Sequence, residues 1–438
     1  MRKRRSISVL LFILILDLMG FSLIFPLVPD LLSFYVGSDY HSLDRYLPHF
    51  LDWLLQVAPA IGNSEERDII LLGGVLAALY SLLQFACSPF WGRLSDRLGR
   101  RPVLLLTSLG LALGYLIWGA SSTFTMFLVS RVVAGMMAGN LGVATAAMAD
   151  ISTQEGRTKS MGLVGAAFGV GFIVGPALGG ALSKVVISSD SLHLNPFAAA
   201  AFASMALSLL SATLNFFYLQ ETLPTELRQK TKFRFEHPFQ ALKKLDQPLF
   251  RRMLLLNFVF MFLFTSFEFT MTFFYKIDFG LSPARIGIIF VYLGVLLAFG
   301  QGYLVRRLSA VWSEKTMILW GIVLLAIGLP FLALSSPSVP WSLVALAPVS
   351  IGSSLMQPSM TGLASRLVSA DIQGLAMSTF RSMGSLARGV GPVFGAYIYG
   401  SMGITFTYFT LSVLLILSFL AGLVTLVAAQ RQVKAKAE

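Results

Sequence analysis

The sequence predicts an all-α membrane protein of twelve transmembrane helices in two pseudo-symmetric six-helix bundles, and three observations carry that reading. Of 438 residues, 56% are hydrophobic and only 12% are charged, about half the charge that a soluble chain uses to cover its surface. Mean hydropathy is +0.76. Lys and Arg are absent from most apolar runs and cluster between them, so the net charge of +12 is a topology signal and not a nucleic-acid groove. The single cysteine, Cys87, excludes an intrachain disulfide and any CxxC-type metal or redox site. Soluble enzyme, secreted scaffold and DNA binder are excluded together.

The chain opens on a basic head followed by an apolar run from Ile7 to about Leu32. No small-residue cleavage site closes that run, and its length suits a retained span. Five more spans follow near 69–91, 101–120, 123–150, 160–186 and 195–220. Beyond a polar stretch come 253–279, 285–305, 316–335, 340–368, 375–400 and 403–430. Twelve crossings put both termini on one side. With the N-terminus in the cytoplasm, that side takes 25 of the 33 Lys and Arg and the outside takes five, which fixes the expected hand.

Domains follow from the two long connections. Residues 1–220 are expected to form the N-terminal bundle, 221–252 a basic cytoplasmic linker, and 253–438 the C-terminal bundle. In the external loop 33–68, Leu47, Phe50, Leu51, Leu54 and Leu55 recur at helical spacing beside Asp52 and Gln56. That pattern predicts a short amphipathic helix on the outer membrane face, with an irregular loop packed across the mouth as the alternative.

Six plus six spans invite a search for repetition. Aligning Gly92 after span 2 with Gly302 after span 8 gives an offset of 210, and aligning GPALGG at 175–180 with GPVFGA at 391–396 gives 216. Two matches at nearly equal offset indicate homologous halves, an arrangement that places a substrate site near mid-membrane.

The loop after span 2 reads Gly92-Arg-Leu-Ser-Asp96-Arg97-Leu-Gly99-Arg100-Arg101. It resembles the signature of the major facilitator superfamily. In span 5, Gly162, Gly171, Gly175, Pro176, Gly179 and Gly180 match the antiporter motif of that superfamily. Gly171, Gly175 and Gly179 share a face and permit close backbone approach. Span 1 with Asp17, Gly20, Pro26 and Pro29, span 4 with Arg131 and Gly135, and Gln84 in span 2 resemble the twelve-span drug:proton antiporters. The long first loop, FEFT in span 7 and RSMGSLARGVGP in span 11 are most similar to tetracycline-transporter-like proteins of animals. The resemblance covers essentially the whole chain and implies the major facilitator fold, with proton-coupled export of small amphipathic drugs or organic anions. It also implies that the signature loop, with Asp150 at the end of span 4, latches the halves on the cytoplasmic side.

Charges inside the spans need partners or a cavity, because one at helix centre costs roughly 2.5–3.5 kcal/mol. At 1.5 Å per residue, Asp17 lies about 15 Å into span 1, Arg131 about 12 Å from the outer end of span 4, and Glu268 about 16 Å from the outer end of span 7. A carboxylate held from water favours its neutral form and a nearby cation favours the anion, so each acid is a candidate proton carrier. The resemblance puts Asp17 first. Glu268 is the second carrier or the partner of a cationic substrate, and Arg131 modulates either acid or accepts an anion. A buried ion pair serving only packing is the alternative for all three. His41, His49, His193 and His237 all lie outside the spans, which leaves no intramembrane histidine relay.

Arg381 and Arg388 share a face of span 11 with Gly391 and Gly395. They close the cytoplasmic entrance, or simply snorkel, or, through Arg388, present a cation to the cavity. Phe21, Phe25, Phe264 and Phe267 are candidates for its apolar wall. The expected partners are a small amphipathic molecule or organic anion, protons and membrane lipid, with no nucleic acid and no cofactor, in a monomer of the cell membrane. Lipid or lysolipid export and uncoupled facilitation fit the same fold. A receptor or scaffold would need a large domain outside the membrane, and the longest loops are only about 30–40 residues. No Ser/His/Asp set, metal cluster or phosphate-binding glycine loop points to an enzyme.

Overall fold

Hydrocarbon offers no water to an unpaired backbone N–H or C=O, so a chain crosses it as helix or closed barrel. The computed structural model describes residues 2–39, 64–152, 157–187, 194–224, 228, 247–368 and 373–435, and these are helical with short connections. The amphipathic helix expected near 47–56 and most of the linker 221–252 lie outside the described residues.

Ten helices each supply one crossing: Ser6–Tyr35, Glu66–Leu98, Arg100–Gly119, Phe124–Ile151, Leu163–Leu182, Ala198–Tyr218, Pro248–Ile277, Pro283–Leu308, Glu314–Ala333 and Val339–Leu367. They are spans 1 to 10. The eleventh, Ala376–Gln432, has 57 residues, roughly 85 Å of helix against a hydrocarbon core of about 30 Å. Gly403 breaks it with φ 76° and ψ 172°, a conformation that only glycine adopts readily. Spans 11 and 12 meet there, and the crossings number twelve as the hydropathy pattern predicts.

Span 3 shows why these helices need lipid. Its buried face carries Val103, Leu104, Thr107, Leu111, Tyr115 and Trp118, while Leu106, Leu109, Leu113 and Leu116 stand exposed on the other. A helix apolar all round is either fully buried in protein or bathed in hydrocarbon.

The spans are not uniform rods. In span 1 the regular helix ends at Ser22, a 3-10 turn covers Phe25–Leu27, and a second helix starts at Val28. Pro26 lacks the N–H that a continuous helix would use there. Span 4 is two helices, Phe124–Met137 and Asn140–Ile151. Span 8 contains a π-helical turn at Gly300–Leu304.

Two compact units emerge, Met1–Gln56 with Leu79–Phe235 and Leu281–Gly294, and Val57–Ala78 with Glu236–Gly280 and Val295–Glu438. In the first, span 5 lies along span 1. A Cβ at Gly175 would meet Ser22 Oγ, and one at Gly179 would meet the Leu23 carbonyl oxygen. In the second, span 11 lies along span 7 in the same way: a Cβ at Gly391 would meet Thr265 Oγ1, and one at Gly395 the Ser266 carbonyl oxygen. Hydroxyls stitch both crossings, with Ser22 donating to Gly171 O at 3.0 Å and Ser266 to Gly391 O at 2.7 Å. The sequence repeat therefore recurs as one helix crossing built twice.

At the end of span 7, Tyr399 O–H donates to Asp278 Oδ2 at 2.5 Å. Burial holds the Asp278 carboxyl above the usual carboxylate range, the Tyr399 hydrogen bond opposes that shift, and Glu66 adds to it. A folded-state value above the unfolded one gives stability that is full below the ordinary carboxylate range and lost as pH rises through the raised value.

Two outcomes follow. Gly179→Val should sharply reduce the fraction of protein that runs as a single species in detergent, because backbone of span 1 blocks the added carbons. Asp278→Asn should flatten the fall in thermal midpoint between pH 4 and pH 8, measured in detergent; an unchanged slope would show that the carboxyl carries none of it.

Candidate proton and substrate site

In the first unit, Asp17 is buried on span 1. Asn140 Nδ2 donates to its Oδ2 at 2.6 Å, whereas Oδ1 is buried without a hydrogen-bond partner. Ser211 of span 6 is its other polar neighbour. Asn140 starts the second helix of span 4 because the helix breaks just before it. No ion pair joins Asp17 to a described basic residue.

Arg131 lies on the first helix of span 4, also buried, and it does not pair with Asp17. Its guanidinium sits over three rings, at 5.0 Å from the centroid of Trp118, 5.2 Å from Phe127 and 5.9 Å from Tyr115. Nε donates to Ser130 Oγ at 3.2 Å, and Nη2 finds no hydrogen-bond acceptor among the described residues. Tyr80 and Tyr115 are within electrostatic reach of both Asp17 and Arg131.

The aromatic candidates divide between the units. Phe21 packs 5.3 Å from Phe25, 5.1 Å from Tyr80 and 6.1 Å from Phe172, and Phe25 lies 5.8 Å from Phe172. In the second unit Phe264 packs against Phe260 and Phe267, and Phe267 against Tyr408. Phe264 and Phe267 line a small apolar cavity with Leu325, Leu329, Leu411 and Leu415.

Glu268 of span 7 and Arg388 of span 11 lie within electrostatic reach of each other. They form no direct ion pair, and Arg388 Nη2 donates instead to Ser385 Oγ at 3.0 Å. The second unit thus opposes its acid and base, while the first keeps Asp17 and Arg131 apart. Arg381 is exposed one turn-pair earlier on span 11.

The signature segment, read as a loop from the sequence, is helical to Leu98 as the end of span 2 and leaves only Gly99 between spans 2 and 3; it is tied down within the first unit. Arg100 Nε donates to Asp150 Oδ2 at 2.9 Å, and Nη1 meets Asp96 Oδ1 at 2.6 Å and Ser95 Oγ at 2.6 Å. Glu221, just past span 6, accepts from the backbone N–H of Arg100 at 2.9 Å and of Arg101 at 3.2 Å. It caps span 3, whose first-turn N–H groups have no partner in the helix itself. Gly99 permits this with φ 110°, and a Cβ there would strike the Glu221 carboxylate. Arg101 donates to Phe216 O at 2.5 Å. Gly92 has open space around it, and Arg97 is exposed.

In the antiporter motif, Gly171, Gly175 and Gly179 face Leu18, Ser22 and Leu23 of span 1, as their shared face predicts. Gly180 turns to Pro283, Ala284 and Gly287 of span 8, and Gly287 meets the Pro176 carbonyl. Gly162 falls within the same helix, Arg157–Leu182.

Two residues escaped the sequence reading. Asn140 is neutral and sits among small residues, so no cost flagged it. Glu221 acts across 121 residues, and its only signal is a lone acid at a helix exit.

The sequence model of the Major Facilitator Superfamily matches residues 10–313 and 278–438. The mouse protein named major facilitator superfamily domain-containing protein 10 is 32% identical over 443 residues, covering 95% of this chain and 92% of its own length. The class H tetracycline resistance protein of Pasteurella multocida is 30% identical over 407 residues, covering 90% and 89%. The crystal structure of the human organic anion transporter MFSD10 (TETRAN) shares 30% identity at a TM-score of 0.75, covering 96% of this chain and 99% of that one. With the family's model matched from residue 10 onward and full-length relatives at this identity, the chain belongs to the major facilitator superfamily: it is an integral membrane secondary transporter and not an enzyme.

Proposed function

We propose that this transporter exports small amphipathic molecules, organic anions among them, in exchange for protons by alternating access. The observation that carries the reading is Asp17: a buried carboxylate with one oxygen held by an amide, the Ser211 hydroxyl as its other polar neighbour, and no ion pair to a described basic residue. Such a group has no packing role that a neutral side chain could not fill at lower cost. The oxygen that Asn140 does not hold takes a proton when water reaches it, and Asn140 holds the carboxylate in place once the proton has left.

Arg131 needs no acid, because its rings solvate it. Its spare Nη2 gives an anionic substrate a donor in apolar surroundings. Glu268 and Arg388 supply a second balance of charge: an anion approaching Arg388 competes with Glu268, and a cation is held by Glu268. An organic anion is the substrate named for the human relative of solved structure, and tetracycline resistance is the activity named for the bacterial one; both fit a buried cation among aromatic rings, as at Arg131. An uncoupled facilitator of the same fold would leave the buried acid unused.

The remaining expectations belong to the same proposal. The excess of basic residues on one side supports a cytoplasmic position for both termini, and a monomer in the cell membrane belongs to the same proposal. The signature loop with Asp96, Arg100 and Asp150 then lies on the cytoplasmic side, where its buried Arg100 braces spans 2, 3 and 4 as one body.

Purified protein in liposomes with an acidic interior should release protons when tetracycline or an amphipathic carboxylate is added. Asp17→Asn should abolish that release while reaching the membrane at wild-type level; preserved coupling would move the proton role to Glu268. Arg388→Ala should weaken transport of anionic substrates about tenfold or more, the loss of one charge-assisted hydrogen bond, and spare cationic ones. Equal effects on both would remove Arg388 from the substrate site.

A further inference from the structure

The break in span 4 is built, not frayed. In an unbroken helix the Gly142 N–H would bond to Ala138 O and the Leu141 N–H to Met137 O. Here Gly142 N–H turns to Gly139 O at 3.1 Å, and Leu141 N–H turns to the Asn140 side chain, Oδ1, at 2.8 Å. Backbone carbonyls freed in this way, away from water, must find donors or cost heavily. Span 2 supplies donors at the break: Gln84 Nε2 donates to the freed Ala138 O at 3.2 Å, and Trp91 Nε1 donates to Met136 O, in the last turn before it, at 2.6 Å. Gln84 and Trp91 are seven residues apart, on one face of span 2. The indole of Trp91 also packs where a Cβ of residue 139 would sit, so Gly139 lets span 2 approach the break.

This clamp determines what Asn140 offers. Its amide oxygen is occupied by the Leu141 N–H, so only its NH₂ group can point at Asp17, and it does so at 2.6 Å. An N–H donor favours the anion over the acid. Straightening span 4 would return the Leu141 N–H to the helix, release the amide, and withdraw that donor. We infer that Asn140 is a positioning residue which ties the proton affinity of Asp17 to the bend of span 4, and that Gln84 and Trp91 of span 2 hold that bend. The inference rests on the proton role proposed for Asp17.

Other groups around Asp17 do not duplicate the device. Tyr80 of span 2 and Tyr115 of span 3 are the titratable side chains within its reach. Arg131 and Asp150 are the charged residues of span 4, the first held among its rings and the second bonded to Arg100. Span 5 presents no ionisable side chain between Leu163 and Leu182, and span 6 presents the hydroxyl of Ser211.

The test needs no substrate. Infrared difference spectra of the purified full-length protein across pH contain a carbonyl band for each protonated carboxylic acid, and the band absent from Asp17→Asn reports Asp17. Asn140→Leu should displace the midpoint of that band by about one to two pH units toward alkaline pH, the effect of losing one hydrogen bond to a charged group. Gln84→Met and Trp91→Phe, which touch span 4 and not Asp17, should displace it the same way by at least about half a unit. Asn140→Ser, which keeps a donor, should restore part of the shift, an outcome that general loosening would not give. A midpoint unmoved in Asn140→Leu, or in both span 2 variants where the leucine variant does not fold, overturns the inference. A shift in Asn140→Leu alone overturns the clamp. If no band depends on Asp17 at any pH, the proton role of Asp17 is overturned instead.

Discussion

Inside a bilayer a backbone group released from its helix has only the protein to turn to, and that constraint organises this molecule. Where the spans are regular they read as plain apolar helices. At two departures from regularity, side chains from a neighbouring segment stand ready. Span 4 breaks at Ala138 and Gly139, and Gln84 and Trp91 take the carbonyls. Span 3 begins at Arg100, and the Glu221 carboxylate takes its first N–H groups. Irregular backbone in hydrocarbon is retained at positions that bring polar groups together, and the break in span 4 brings Asn140 to Asp17.

The same constraint shapes the helix crossings. Lipid is as apolar as leucine, so helices associate through close packing and hydrogen bonds and gain little from burying apolar surface. Glycines on spans 5 and 11 let backbone meet backbone, and serine and threonine hydroxyls then reach across to carbonyls. A valine in place of Gly179 would separate those surfaces by more than the hydroxyls can span. The glycine face of span 5 is thus a packing device that fixes span 1, and with it Asp17.

Most of this was legible from residue type and spacing. Twelve crossings follow from hydropathy, since an apolar run of about 20 residues has few other uses. Asp17, Arg131, Glu268 and Arg388 stand out because a charge inside an apolar run is expensive. What pairs with what was not legible. Asp17 and Arg131 were read as a possible pair, yet the structure gives each its own partners, an amide for the one and three rings for the other. Asn140 was hidden because a neutral amide draws little attention in a run of small residues, and its role depends on a break that no proline or charge announces. The break between spans 11 and 12 was legible, since the two apolar runs read as 375–400 and 403–430 meet at Gly403.

The separation of Asp17 from Arg131 has a consequence for energetics. If the two formed a buried ion pair, each protonation of the acid would strand the cation, at a cost of roughly 3–5 kcal/mol for breaking such a pair. Three cation–π contacts at about 0.5–2 kcal/mol each offset the roughly 2.5–3.5 kcal/mol cost of placing an arginine at mid-helix. Arg131 therefore keeps its charge whatever Asp17 does, and Asp17 can gain or lose a proton at a cost set by its own surroundings. Glu268 and Arg388 are arranged the other way, within electrostatic reach but not joined, so a change of charge on one alters the field on the other. The first unit holds its acid independent of its base, and the second makes them answer to each other.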